Sequence, residues 1–311
     1  MDKPILEVEN LAKIFGDFKA VNNISFTVRE GEIVGLLGPN GAGKTTTIQM
    51  LLGIMTQTSG TVSYFGKEFT QHREEILSKI NFASAYSHLQ SRITVRQNLT
   101  IMAGLYDIRD PNKRIDELLD LLEVRDLVDK LYWHLSSGQK TRVVLVKALL
   151  NKPRLILMDE PTASLDPEIA QKVVELIRTL RQKENVAILY TSHNMAEVEE
   201  LCDRVMIMDK GRIVAEDTPL ELTKKIGTAR LIVTFDAKQE IVGKYLTEKD
   251  YIHSFPRDHV VSIEVSEQDI PKVLFGLGEN GVWITEVDIK KPNLEDVFLA
   301  IAGGTYEHKA D

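Results

Sequence analysis

A single cysteine, Cys202, stands among 311 residues, so no disulfide can close within the chain and a reducing compartment is its expected setting. No uninterrupted apolar run reaches the roughly eighteen residues of a membrane-spanning helix, and none is expected. Basic residues are in deficit, 38 Lys and Arg against 46 Asp and Glu for a net charge of -8, which argues against wrapping nucleic acid, a task that needs a basic face. Sustained heptads are missing as well, excluding a long coiled coil. Met1-Asp2-Lys3-Pro4 passes straight into strand-like sequence without a basic, apolar leader. The expectation is therefore a cytoplasmic chain that meets a membrane only through a partner. What remains is ample for buried cores: 43% of residues are hydrophobic, and the length suggests two domains.

One stretch organises the rest. An apolar strand over residues 32–37 breaks into Gly38-Pro39-Asn40-Gly41-Ala42-Gly43-Lys44-Thr45-Thr46, which fits the phosphate-binding pattern G-x-x-x-x-G-K-[ST]. Glycines let backbone N–H groups turn inward on a phosphate, and the helix expected over 45–52 offers its positive end to the same anion. Lys44 would reach the β and γ phosphates, and Thr45 would give its hydroxyl to the accompanying Mg²⁺. The bland alternative is a Gly-rich turn that binds nothing; the flanking strand and helix count against it.

Strands over 5–15 and 21–28 should form a small antiparallel layer. Phe15, followed by Gly16, has two readings: a ring that stacks on a purine, or an edge-strand aromatic packed on the core. Further strands are expected over 61–65 and 80–85. Apolar stripes then change to helical spacing (Val95, Leu99, Met102; Ile115, Leu118, Leu119, Leu122), describing a helical insert over about 86–150. Leu135-Ser136-Ser137-Gly138-Gln139 opens a helix expected over 140–150, and its Ser/Gly cap is a second anion site only if something else supports it. The buried-type strand 155–158 runs into Asp159-Glu160-Pro161. Adjacent acids there demand a cation or a substrate, because burying unpaired charge costs several kcal/mol. In phosphate-loop enzymes the first, Asp159, holds Mg²⁺, and Glu160 is placed to polarise the attacking water. After the loop Ser164-Leu165-Asp166 and a helix over 168–183, the last core strand is expected over 186–191, ending at Ser192-His193-Asn194. A lone histidine is often just a satisfied polar residue; its place at a strand's carboxyl end favours a γ-phosphate contact.

In this order Phe15, the loop 38–46, the segment 135–139, Asp159-Glu160, Asp166 and His193 resemble the nucleotide-binding subunit of an ATP-binding cassette (ABC) transporter over about residues 4–219. The resemblance implies ATP and Mg²⁺ as cofactors and a head-to-tail pairing of two subunits, a homodimer or a heterodimer with a related cassette. Each ATP would lie between the phosphate loop of one subunit and the signature Ser136, Ser137, Gly138 and Gln139 of the other, with Asp166 at the junction and Phe15 on the adenine. Lys44, Glu160 and His193 would be catalytic, and Thr45 and Asp159 would hold the metal. A separate membrane permease is the implied partner, with the chain peripheral on the inner face of the cell membrane; no nucleic acid is expected. Two positions depart from the family pattern. Ser137 stands where a second glycine is usual, and Ala85 falls where a glutamine normally touches Mg²⁺ and faces the membrane subunit. Alanine cannot ligate a metal. Gln90 lies five positions on (90 minus 85), so Ser84 or a water is the expected substitute.

Thr218-Pro219-Leu220-Glu221 reads as a capping box with proline at the first helical position, and Gly227 as the helix's end. The expected division is a cassette over 1–218, a linking helix over 219–227 and an accessory domain over 228–311. Within the last, strands at 231–235, 251–255, 260–265 and 282–289 alternate with helices at 239–246 and 268–277. The order β-α-β-β-α-β predicts a ferredoxin-like sandwich. The closing Pro292-Asn293-Leu294-Glu295-Asp296-Val297-Phe298-Leu299 resembles the C-terminal end of ATPases serving bacterial exporters of drugs, lipids and polysaccharides. No catalytic constellation occurs in this tail, so regulation, dimer support and plain stabilisation all stay open. The expected fold class is α/β: a P-loop NTPase core with an N-terminal antiparallel β layer and helical subdomain, plus a small α+β C-terminal domain. The rival reading is a soluble ABC-type ATPase acting on ribosomes or DNA, against which stand the single phosphate loop and the missing heptads; a third is an ATP-binding regulator with incidental turnover.

Overall fold

A computed structural model describes residues 4–163, 165–225 and 229–302. Ser164 and Gly227, read above as part of a loop and as a helix end, lie outside the described residues. The chain divides into two compact units, one reaching to Pro219 and one starting at Leu220.

In the first unit, β1 (Leu6–Phe15) and β2 (Phe18–Val28) form an antiparallel hairpin. β2 begins at Phe18 rather than at 21, because Phe15 and Phe18 pair across the turn. After β3 (Ile33–Leu37) and α1 (Lys44–Leu51), β4 (Ser59–Tyr64) returns to pair antiparallel with β1, and β5 (Lys67–Glu68) closes that sheet. A short α2 (Arg73–Leu77) leads to β6 (Ile80–Ser84). The helical insert is α3 (Val95–Leu105), α4 (Pro111–Leu121) and α5 (Ser137–Leu149). Then follow β7 (Leu155–Asp159), α6 (Pro167–Glu184), β8 (Ala187–Thr191), α7 (Met195–Leu201), β9 (Arg204–Asp209) and β10 (Arg212–Asp217).

β8 is therefore not the last core strand. β9 lies parallel to β3 and β10 pairs antiparallel outside it, giving the six-stranded order β10-β9-β3-β8-β7-β6. β3 and β8 are buried along their whole length, as strands covered on both faces must be. One apolar core joins Leu6, Leu11 and Phe26 of the antiparallel layer to Leu36, Leu157 and Leu189 of the parallel sheet, with Ile48 and Met50 of α1 within it. Truncating one such leucine to alanine costs about 2–5 kcal/mol, so α1 and the loop before it are held from both sides.

The second unit opens with α8 (Pro219–Lys224), which begins at the boundary residue. It continues as β11 (Ala229–Asp236), α9 (Gln239–Glu248), β12 (His253–Arg257), β13 (Val260–Val265), α10 (Ile270–Glu279), β14 (Trp283–Lys290) and α11 (Leu294–Ala302). The sheet order β12-β13-β11-β14, antiparallel throughout, is that of a ferredoxin-like sandwich. Pro256 and Arg257, expected in the turn, belong to β12. β12 is an edge strand, where proline removes no ladder hydrogen bond. Alternate residues Leu231, Val233 and Phe235 meet Val242 and Leu246 of α9 and Val273 and Leu277 of α10 in a separate core.

Candidate functional site

The parallel sheet lines up its carboxyl ends. Ser84 pairs with Asp159 and Asp159 with Thr191, while Leu36 pairs with Thr191 on the other side. The phosphate loop, both acids and the histidine segment thus emerge at one edge, where open α/β sheets bind ligands.

The loop's glycines are required by close approach. Gly38 has φ +156°, and a Cβ there would stand 2.3 Å from the Met208 carbonyl oxygen; Gly43 has φ +108° and would meet the Ala20 oxygen at 2.4 Å. Gly43 caps α1 without any side-chain hydrogen bond, so the amides of the first turn stay available to an anion. The Lys44 ammonium donates to the carbonyls of Gly38 at 2.6 Å and Pro39 at 3.2 Å. Burial lowers its pKa, while Glu160 and Asp159 pull it back upward. Both acids therefore act on the loop's cation. Asn40, Gly41 and Thr45 are exposed, Pro39 and Thr46 half-buried and Ala42 buried.

Asp159 and Glu160 share an anchor that the sequence reading missed. Thr191, fully buried, donates its hydroxyl to Asp159 Oδ1 at 2.6 Å and accepts the Glu160 N–H at 3.1 Å. Glu160 itself has φ +49°, a conformation that a non-glycine residue keeps only when its surroundings impose it. His193, 68% exposed, brings Nδ1 within 3.3 Å of Glu160 Oε2. A run of hydroxyls leading into the histidine, Tyr190-Thr191-Ser192, is the signal that could have flagged this anchor.

The signature is set apart. α5 starts at Ser137 rather than near 140, because Ser136 is its N-cap: its hydroxyl accepts the Gln139 N–H at 3.3 Å and the Gln139 side chain accepts the Ser136 N–H at 3.0 Å. Among the described residues no hydrogen bond of this segment reaches the phosphate loop, the acids or His193. Ser137 lies exposed in the first helical turn, so its Cβ strains nothing. Gly138 is buried, and a Cβ there would meet Ile169 Cγ2 at 2.3 Å. Asp166 is the exposed N-cap of α6 and makes no side-chain cap bond. Phe15 is 48% exposed, with Lys13 Nζ 5.0 Å from its ring centre, so it does not pack in the core. Ala85 follows β6 directly. Gln90 accepts the Ser91 N–H through its side chain, and Asn98 holds its backbone N–H and carbonyl, while the Ser84 hydroxyl accepts the Tyr86 N–H at 3.2 Å.

Among the described residues no group of three His, Cys, Asp or Glu could cage a metal. One carboxylate, Asp159, and one hydroxyl, Thr45, suit an ion that takes its other oxygens from phosphate and water, which is how Mg²⁺ binds beside nucleotides.

The sequence matches the family described as ABC transporter over residues 21–163. It is 33% identical to the bacitracin transport ATP-binding protein BcrA of Bacillus licheniformis, over 96% of this chain and 98% of that protein. It is 34% identical to the Nod factor export ATP-binding protein I of Rhizobium sp. (strain N33), over 99% of this chain and all of the other, a share of 100%. Among solved structures, cbiO1 of Clostridium perfringens, part of the ABC transporter complex cbiONQ, superposes with a TM-score of 0.66 at 27% identity, covering 79% of this chain and 96% of that one. No helix among the described residues is long and apolar enough to cross a membrane. A phosphate loop, paired acids at the sheet edge and relatives matched over nearly their full length converge: the chain belongs to the ABC transporter family, as one of its ATP-binding, ATP-hydrolysing subunits.

Proposed function

We propose that two copies of this chain, or one copy and a related cassette, close head to tail on two ATP molecules and so drive a separate membrane permease that exports its substrate. The chain itself would sit in the cytoplasm, peripheral on the inner face of the cell membrane. The observation that carries this reading is the cluster Lys44, Asp159, Glu160 and His193 at one sheet edge, with His193 3.3 Å from Glu160, beside a signature whose own polar groups close on each other. Such a signature is half of a site that a second subunit completes. The Ser136 hydroxyl uses a lone pair in its cap, which leaves its proton free for a phosphate across the interface. Relatives named for bacitracin transport and Nod factor export support the transport direction and count against a ribosomal or DNA role.

In this reading Lys44 and the first-turn amides of α1 hold the β and γ phosphates, and Phe15 offers its exposed ring to the base. A Mg²⁺ held by Asp159, Thr45 and the phosphates would neutralise charge that develops on the transferring group. Glu160 takes a proton from the attacking water, and His193, bound to it through Nδ1, fixes the carboxylate's aim. Ser84, paired with Asp159, is the residue proposed to substitute through a water for the glutamine absent at Ala85. The test is Glu160→Gln, which should lower the ATP turnover rate by ~10²-fold, or ~3 kcal/mol of barrier; a parental rate would reject Glu160 as the base. Co-purification from native membranes of a protein with apolar segments of ~20 residues supports transport, whereas ribosomal RNA in its place would support the rival.

A further inference from the structure

Glu197, in the first turn of α7, is a buried carboxylate that the reading above leaves without a task. Its Oε2 accepts hydrogen bonds from Thr162 Oγ1 at 2.7 Å, Tyr190 Oη at 2.9 Å and Ser192 Oγ at 3.3 Å. Its Oε1 accepts from Asn194 Nδ2 at 3.1 Å. Four donors on one acceptor-only group is near the capacity of a carboxylate. An apolar side chain in its place would leave all four donors without this acceptor, so what the carboxylate joins matters. Thr162 lies two residues after Glu160, in a turn closed by the Ala163 N–H on the Glu160 carbonyl at 3.1 Å. Ser192 and Asn194 are the two neighbours of His193. The Ser192 hydroxyl also accepts the Asn194 N–H at 3.0 Å, locking the histidine's own backbone bend. Glu160, Thr162, Ser192, His193, Asn194 and Glu197 all line one cavity of about 300 Å³.

We propose that the Glu197 carboxylate is a positioning residue for ATP hydrolysis, a buried hub that ties the turn after Glu160 to both neighbours of His193 and so sets the distance between the two. Resting on the reading of Glu160 and His193 given above, the hub acts through those two residues. The left-handed backbone at Glu160 (φ +49°) persists only if its surroundings over-determine it, and Glu197 supplies the constraint on the carboxyl-terminal side of that residue. Among the described residues no bond of the hub reaches Lys44, Phe15 or the first turn of α1, so the hub should govern turnover and leave nucleotide binding alone.

The test uses the full chain with Glu197→Gln. This variant keeps the volume but swaps one carboxylate oxygen for an NH₂ group, so it can no longer accept from all four donors at once, and the hydroxyls must turn to accept or the Asn194 bond is lost. Turnover should fall roughly 10- to 100-fold, with the ATP Kd within about threefold of the parent and Tm within a few degrees. Placed on Glu160→Gln, the same change should add less than about twofold, because the hub acts through the residue already removed. Thr162→Val, which cuts the bond to the acid turn and the Thr162 contact with the Tyr190 hydroxyl, should lower turnover roughly three- to tenfold at unchanged Kd, and it keeps the test standing if Glu197→Gln does not fold. Turnover that is parental in both variants overturns the proposal. So does a loss that falls equally on turnover, Kd and Tm, or one that multiplies in full on Glu160→Gln. A parental rate in Glu160→Gln by itself defeats the assignment of the base, and the hub's catalytic role with it; parental rates in Glu197→Gln and Thr162→Val beside a slow Glu160→Gln defeat the hub alone.

Discussion

Lys44 and Thr191 show how differently two residues of one site declare themselves. Lys44 sits inside a motif whose chemistry is contiguous in the chain, so glycines, lysine and threonine were all legible from their spacing. With its ammonium bonded to the loop carbonyls of Gly38 and Pro39, Lys44→Ala should weaken ATP binding by roughly 10- to 100-fold, the worth of a charge-assisted bond. Titration calorimetry with ATP checks this, and an unchanged Kd would count against the loop. Thr191 was invisible because its hydroxyl works sideways, across strands, joining Asp159 and Glu160 from a neighbouring element. Glu160 N–H retains the Thr191 carbonyl at 3.1 Å, so Thr191→Val strands only the Asp159 bond and should cost about 1 kcal/mol of unfolding free energy. Denaturant titration measures it; no change in midpoint would mean that the buried hydroxyl anchors nothing. Phe15 was ambiguous in the sequence for a similar reason, since alternation along a strand does not say which face is covered, and its 48% exposure counts against packing in the core.

At the level of elements, periodicity revealed the strands β3, β7 and β13 almost to their ends and located the helices α3 and α4 of the insert. The β9–β10 hairpin escaped notice. Its two-residue turn, Lys210-Gly211, has φ +45° and +79°, both left-handed as a type I′ turn requires, yet the first position carries lysine in place of the Asn or Asp that usually marks such a turn. The early start of α5 escaped for a different reason: Ser136 and Gln139 cap each other, so segment 136–139 is both a cap and the helix's opening turn. Gly138 then has a local duty as well as the proposed one across the dimer. Gly138→Ala drives a methyl into Ile169 Cγ2 and should destabilise by about 1–3 kcal/mol, the usual cost of overpacking. Adding Ile169→Ala, which removes that methyl, should recover most of the midpoint in thermal unfolding. Failure to recover would mean that the glycine is needed for another reason.

For the molecule as a whole, the division near residue 219 coincides with a change of architecture, from a parallel sheet layered on an antiparallel one to a ferredoxin-like sandwich with its own core. That second fold was readable because strand and helix periods alternate cleanly along it and because the β-α-β-β-α-β order admits few sheet topologies. Neither unit, taken alone, joins a signature to a phosphate loop by any hydrogen bond among the described residues. The account therefore requires a second subunit. The direct measurement is the solution mass of full-length Glu160→Gln by light scattering, with and without ATP and Mg²⁺. The account predicts a shift from 35.1 kDa to twice that mass when nucleotide is added, reversed when it is removed. A particle that stays at 35.1 kDa with ATP bound would contradict the pairing of two copies of this chain.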